Sequence, residues 1–173
     1  MRRIYTSVPM GRTSAALGSV VFFVIAPVTV AGLVPWLLTR WHSHALWPPL
    51  RVLGGVLIVI GAAVVLRAFT RFVVEGFGTP APVAPPTRLV VGGEYRHVRN
   101  PMYVALIVVI LGQSLLLGRA VLVADAAVTW LVFATWTRWY EEPTLRRTFG
   151  TEYEEYCRAV PAWLPRLRRW RGP

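Results

Sequence analysis

Four stretches of this chain are apolar for the length of a membrane crossing, or nearly so, and its charged residues fall mostly between them. Ala15 to Thr39 holds no charge; its roughly 25 residues would span a ~30 Å hydrocarbon layer as a helix. Pro27 and Pro35 are expected to bend it. "MRR" ahead of an apolar run has the look of a signal peptide. The run is too long for a signal core and no small-residue cleavage site closes it, so it reads as a retained span. A second stretch lies between Arg51 and Arg67. Its uncharged centre of about 15 residues is short for a crossing, and Trp47 and Phe69 extend it if both arginines snorkel. Gly54 and Gly61, seven residues apart, share one helical face, where small residues admit a close neighbour. A third span, Met102 to Leu117, is opened by Pro101, well suited to a first helical position. "LLLGRAVLV" then turns at Gly118-Arg119 into a fourth, Ala120 to about Trp139. So short a connection predicts an antiparallel helical hairpin.

The polar stretches have patterns of their own. "EGFGTPAPVAPPTRLVVGGEYRHVRNP" is stiffened by Pro80, Pro82, Pro85 and Pro86, and Gly92-Gly93 permits a tight turn. After the fourth span, Leu145 to Phe149 reads as helix with Gly150 at its end. Thr151 and Glu154 have the spacing of a capping box that opens a further helix carrying Tyr153 and Tyr156 and stopping near Pro161. Charges punctuate that helix, so it is expected to lie at the interface rather than to cross.

Composition strengthens the membrane reading. The chain is 55% hydrophobic and 16% charged, against about 25% charged for a soluble domain. The expectation is an all-α integral membrane protein forming one domain over residues 1–173. Residues 1–70 would supply two N-terminal spans, and residues 71–173 the middle loop, the hairpin and the interfacial helices. The 8 tryptophans suit membrane–water boundaries.

The formal charge is +11, and every basic residue is arginine. These cations flank apolar segments and no nucleic-acid recognition motif accompanies them, so they read as topology determinants and contacts for anionic headgroups. Arg2, Arg3 and Arg12 precede the first span; Arg71, Arg88, Arg96 and Arg99 lie in the middle loop; seven more follow the fourth span; Arg40 and Arg119 stand almost alone in the other two connections. The positive-inside rule then puts both termini and the middle loop on the cytoplasmic side, a parity that four spans satisfy. Cys157 is the single cysteine, and His42, His44 and His97 are scattered, so neither an intrachain disulfide nor a metal site is expected.

The candidate chemistry sits where "EYRHVRN" runs into "PMYVALIVVI". Because the third and fourth spans form a hairpin, "YRHVRNPMY" at the entrance of one and "RWYEEP" at the exit of the other belong at the same membrane face. That juxtaposition predicts a pocket with cations and amides on one wall and carboxylates on the other. Two readings stay open from the residues alone: a ligand site, or an Arg99–Glu141 ion pair that merely ties the hairpin base. Asp125, inside the fourth span, fits either a proton path or a position near the outer interface, about 9 Å along the helix from Arg119; the second is preferred.

"LVVGGEYRHVRNPMY" followed by "EEPTLRRTFGTEYEEYCRAVPAWLP" resembles the isoprenylcysteine carboxyl methyltransferase family, whose wider relatives include membrane phospholipid N-methyltransferases. The resemblance covers roughly residues 87 to 165. It implies an S-adenosylmethionine pocket in the C-terminal half and a lipidic acceptor entering from the bilayer, with a prenylated cysteine as the foremost candidate. By motif, Leu89 and Val90 would approach the cofactor, Tyr95 would contact it, and Asn100, Pro101, Met102 and Tyr103 occupy the family's His-Pro-x-Tyr element. Glu141 matches a cofactor-binding glutamate and Glu142 completes the pair; Thr87 and Arg88 align by offset. Arg99, or backbone N–H groups at the start of the third span, would meet the cofactor's carboxylate, and Arg138 and His97 would face the substrate. Asn100 stands where histidine is usual, which keeps a donor and an acceptor but removes titration. A carboxylate acceptor needs no base, whereas an amine would, which favours O-methylation. N-methylation of a phospholipid, an NADPH-dependent membrane reductase and a non-catalytic scaffold or transporter remain the alternatives.

Overall fold

The computed structural model describes residues 25–76 and 88–170, which are helical wherever they are regular and form no strand. Five helices follow one another: α1 (Ile25–Thr39), α2 (Pro48–Gly76), α3 (Pro101–Leu117), α4 (Val121–Phe149) and α5 (Thr151–Ala159). A single 3₁₀ turn, Gly93–Arg96, prepares the entry to α3. The part of the first span before Ile25, the prolines at 80–86 and Thr87 lie outside the described residues.

Two of these helices, Pro48–Arg71 within α2 and Val121–Phe149, are long and apolar enough to cross a membrane; Ile25–Thr39 and Pro101–Leu117 are apolar but shorter. Their outward faces carry Val52, Val56, Val59 and Leu66 on α2 and Val123, Val128, Leu131 and Val132 on α4, all exposed. A water-soluble fold would bury such residues; a lipid environment solvates them.

α2 and α3 pack most closely, and glycine is the reason. A Cβ on Gly54 would sit 2.6 Å from the Gly112 carbonyl oxygen, and one on Gly61 would sit 2.7 Å from a Val109 methyl. The shared face of Gly54 and Gly61 is therefore a helix-packing face, where backbone approach replaces side-chain interdigitation. Gly118, at φ +64°, ends α3 in a left-handed cap and lets the chain turn straight into α4, as the short connection predicts. The cluster of Ile110, Leu122 and Ala126 closes the hairpin beside that turn.

Helices α1 and α4 each contain one widened, π-type turn, Thr29–Leu33 and Thr137–Glu141. Each is followed two residues later by a proline, Pro35 or Pro143. A proline ring clashes with the carbonyl four residues back and cannot bond to it, and an inserted residue relieves the clash. In α1 the stranded carbonyl is that of Ala31, and the Gln113 side-chain amide of α3 donates to it at 2.6 Å. The expected bend thus takes the form of a π turn whose freed acceptor is bonded by the neighbouring helix.

Three boundaries differ from the sequence reading. α2 extends well past Phe69, to Gly76. α4 does not stop near Trp139 but continues through Glu141 and Glu142 to Phe149, because the π turn absorbs Pro143 without a break. The capping box does not form: Gly150, at φ +53°, is the residue before α5, and Thr151 already lies in the helix with no side-chain cap. Glu154 instead accepts from Arg146 Nε at 2.8 Å.

Candidate functional site

The entrance of α3 and the π turn of α4 meet. Tyr103 projects from the first turn of α3, and its hydroxyl donates to Glu141 Oε1 at 2.5 Å. Trp136 Nε1 donates to the same oxygen at 3.1 Å, and Thr137 Oγ1 donates to Oε2 at 3.3 Å. A carboxylate offers about four lone-pair sites, so Glu141 is held by three protein donors with capacity for one more. The widened turn matters here, since it sets Trp136, Thr137 and Glu141 around a single carboxylate.

Aromatic faces surround this point. Tyr103 stacks on Phe133 with ring centroids 4.3 Å apart and lies 6.4 Å from Trp163; Trp130 meets Trp163 edge-on, and Trp136 stacks on Tyr140. In such a frame the π faces and the carboxylate would both attract an organic cation.

Glu142 does different work from its neighbour. It is buried and forms ion pairs with Arg99 at 3.1 Å, Arg146 at 3.4 Å and Arg138 at 3.9 Å. The ion pair considered for Arg99 and Glu141 is therefore formed with Glu142. Arg99 also donates to Cys157 Sγ at 2.7 Å and to Tyr153 Oη at 3.5 Å. Burial works against its charged form, but Cys157, Tyr153 and Glu142 more than offset this and hold its pKa above the usual value. Burial likewise pushes the Tyr153 and Tyr156 phenols up, so both stay neutral.

The segment after α5 straps this assembly together. Arg99 N–H donates to Pro161 O at 2.9 Å, Asn100 Nδ2 to Ala162 O at 3.1 Å, Arg166 N–H to His97 O at 3.0 Å and Trp170 N–H to Arg96 O at 3.0 Å. His97 Nδ1 lies 2.8 Å from the Arg166 carbonyl. A carbonyl can only accept, so Nδ1 carries the proton and Nε2 is the acceptor in the neutral ring. From α5 itself, Tyr156 Oη donates to Tyr95 O at 2.7 Å. By folding back, the strap delivers Trp163 to Tyr103.

Of the residues singled out from sequence, Tyr103 and Glu141 are directly bonded, and Arg99 and Glu142 form the adjoining ion pair. Asn100 binds the strap rather than facing Glu141. Val90 and Tyr95 are buried together with Ala68, with Met102 packed against them, and Leu89 packs on the Tyr153–Tyr156–Val160 cluster. Arg88 is exposed, and Arg138 reaches the site only as an exposed partner of Glu142. Pro101 and His97 line a separate groove on the α2 side of α3. Thr87 lies outside the described residues. Phe133, Trp136, Thr137 and Trp163 were not singled out. Trp136 and Thr137 sit five and four residues before Glu141, a helical spacing that could have flagged them; Trp163 is brought in only by the strap.

Relatives place this geometry in a family. The chain is 28% identical over 145 residues to the probable protein-S-isoprenylcysteine O-methyltransferase of Oryza sativa subsp. indica, covering 83% of this chain and 72% of that protein. It is 37% identical over 78 residues to the protein-S-isoprenylcysteine O-methyltransferase of Schizosaccharomyces pombe, covering 44% of this chain and 33% of that protein. It is also similar to the cobalt-zinc-cadmium resistance protein CzcN of Cupriavidus metallidurans, at 28% identity over 134 residues, 78% of this chain and 57% of that protein. The phospholipid methyltransferase family model matches residues 49–152, from the start of α2 into α5 and across both carboxylates and Tyr103. With its apolar helices and the paired segments that close its candidate site, the chain belongs to the phospholipid methyltransferase family, a family of membrane methyltransferases.

Proposed function

We propose that the chain is an S-adenosylmethionine-dependent methyltransferase acting on a lipidic carboxylate of the isoprenylcysteine type. The carrying observation is the Tyr103–Glu141 hydrogen bond inside its aromatic frame. S-adenosylmethionine combines a sulfonium cation, a purine and ribose hydroxyls. Aromatic faces suit the first two and a carboxylate with one acceptor position left suits the third, so the residues present fit it. Bound there, the group would supply a methyl already activated by positive charge. The protein then has to bind, orient and exclude water. Tyr103, Trp136 and Thr137 fix the orientation of the Glu141 carboxylate. Arg99 and Glu142 hold the loop before α3 against α4. Trp163 and the strap shield the site.

The preference for O-methylation rests on what faces Tyr103. An ionised carboxylate acceptor needs no base, while an amine would need one. His97, the nearest histidine in sequence, lines the groove on the other side of α3. The relatives named as isoprenylcysteine O-methyltransferases point the same way. In this reading four spans form one membrane domain with the site and both termini on the cytoplasmic side, as the arginine distribution implies.

Two measurements test it. Titration calorimetry on protein in detergent should show S-adenosylmethionine binding that Glu141→Gln and Tyr103→Phe each weaken by about tenfold, the loss of one charge-assisted hydrogen bond. Wild-type affinity in both variants would refute the site. Labelled methyl transfer into a lipid extract should give a product that mild base releases as methanol; a base-stable product would refute the carboxylate acceptor while leaving the cofactor site standing.

A further inference from the structure

The strap that follows α5 has two faces. One holds it to the protein: Trp163 meets Tyr103 and Trp130, Arg166 bonds to His97 O and Ala159 O, and Trp170 packs on Tyr156. The other face points away. Leu164 is 80% exposed and Leu167 is 100% exposed. Arg168 and Arg169 are exposed as well, and their side chains have no partner among the described residues.

The contacts of the strap order these residues by depth. Trp163 meets Trp130 edge-on, with ring centroids 6.1 Å apart. Trp130 lies within the apolar helix α4, which is long enough to cross a membrane, and is itself partly exposed there. Further along, Trp170 N–H bonds to Arg96 O, in the 3₁₀ turn that precedes α3. The strap therefore runs from the flank of a spanning helix out to the polar loop, and the two leucines come before the two arginines on that path. No acidic residue lies between Pro161 and Trp170. An apolar pair followed by a cationic pair matches the passage from acyl chains to phosphates in one leaflet.

We propose that the outward face of the strap docks on the anionic phospholipid surface of the bilayer, with Leu164 and Leu167 among the acyl chains and Arg168 and Arg169 against phosphates. Charge complementarity selects the occupant: two adjacent cations with no carboxylate matched to them favour an anionic surface over a zwitterionic one. The exposed leucines favour a lipid surface over a soluble anion, since only the former takes apolar area out of water. Docking reaches the candidate site, because Leu164 adjoins Trp163 and a seated strap holds that ring beside Tyr103. It depends on the bilayer around the helices and not on which cofactor or acceptor the chain takes.

The test is amide hydrogen exchange, read by mass spectrometry on strap peptides, of the full chain in nanodiscs of phosphatidylcholine with or without phosphatidylglycerol. Phosphatidylglycerol should slow exchange over residues 163–170 by about tenfold, the scale expected of two arginines at an anionic surface. Soluble glycerol phosphate added to phosphatidylcholine nanodiscs should not reproduce the slowing. Arg168→Gln combined with Arg169→Gln should abolish it, Arg147→Gln at an exposed arginine of α4 should leave it, and Leu164→Ser combined with Leu167→Ser should reduce it. Equal exchange in the two kinds of nanodisc would show no headgroup selection, and equal slowing by glycerol phosphate a free-phosphate site; either overturns the proposal. So does an undiminished slowing in the arginine pair. If that variant does not fold, the leucine pair decides: an undiminished slowing there overturns it.

Discussion

Adjacent residues of like charge divide their labour here. Glu141 accepts from Tyr103, Trp136 and Thr137, all neutral donors, whereas Glu142 is surrounded by Arg99, Arg138 and Arg146. A carboxylate held only by neutral donors has no cation of the protein matched to it; one matched by buried guanidinium is structural. The partners of Glu142 are unequal. Arg99 is largely buried, so Glu142→Leu leaves an uncompensated cation and should cost about 3–5 kcal/mol. Arg138 is 72% exposed at 3.9 Å, and Arg138→Ala should cost less than about 1 kcal/mol. Chemical or thermal unfolding in detergent reads both, and equal costs would show that Arg99 is not the principal partner.

At the scale of the element, the helices are shaped by residues that lack something. Gly54 lacks a Cβ where Gly112 crosses, while its neighbour Gly55 has open space around it. Gly54→Ala should therefore destabilise by about 1–3 kcal/mol through overpacking. Gly55→Ala should be neutral or stabilise by up to about 1 kcal/mol through helix propensity. Comparing the two unfolding midpoints isolates the packing effect from the propensity effect. Pro35 lacks an N–H, and Gln113 answers for it by donating to Ala31 O. Gln113→Leu should strand that carbonyl at a cost of about 1–3 kcal/mol. Pro35→Ala in the same chain restores a backbone donor and should recover part of the loss, a coupling that a double-mutant cycle measures directly.

The whole molecule depends on a contact between distant parts of the chain. The strap from Pro161 to Trp170 bonds to residues 96–100 and places Trp163 against Tyr103. Truncation after Val160 should leave the helical content of α2, α3 and α4 nearly unchanged by circular dichroism, yet remove the proposed S-adenosylmethionine binding. Retained binding would mean that the site is complete without the strap. A synthetic strap peptide added in trans should restore binding to the truncated chain only weakly, since it loses the effective concentration that the covalent link provides.

How much could be read in advance differs along the chain. The hairpin was legible because Pro101 and Gly118 punctuate a long apolar run, and both act through local backbone geometry. Gly54 and Gly61 announced a packing face by their spacing, though not which helix fills it. The length of α4 was not legible: Pro143 and two glutamates read as an end, and only a π turn, paid for by neighbouring contacts, carries the helix through them. The strap has no periodicity to read.

By itself the sequence determined the helical class, the hairpin and the meeting of the Tyr103 and Glu141 segments, since hydrophobic period, turn residues and connection length act over a few residues. Tertiary structure alone decided which carboxylate faces Arg99, that Trp163 comes to lie beside Tyr103, and that a groove opens between α2 and α3 on the far side of α3. Those are matters of which side chains meet across helices, set by close packing at glycines and by a returning chain, and no local pattern encodes them.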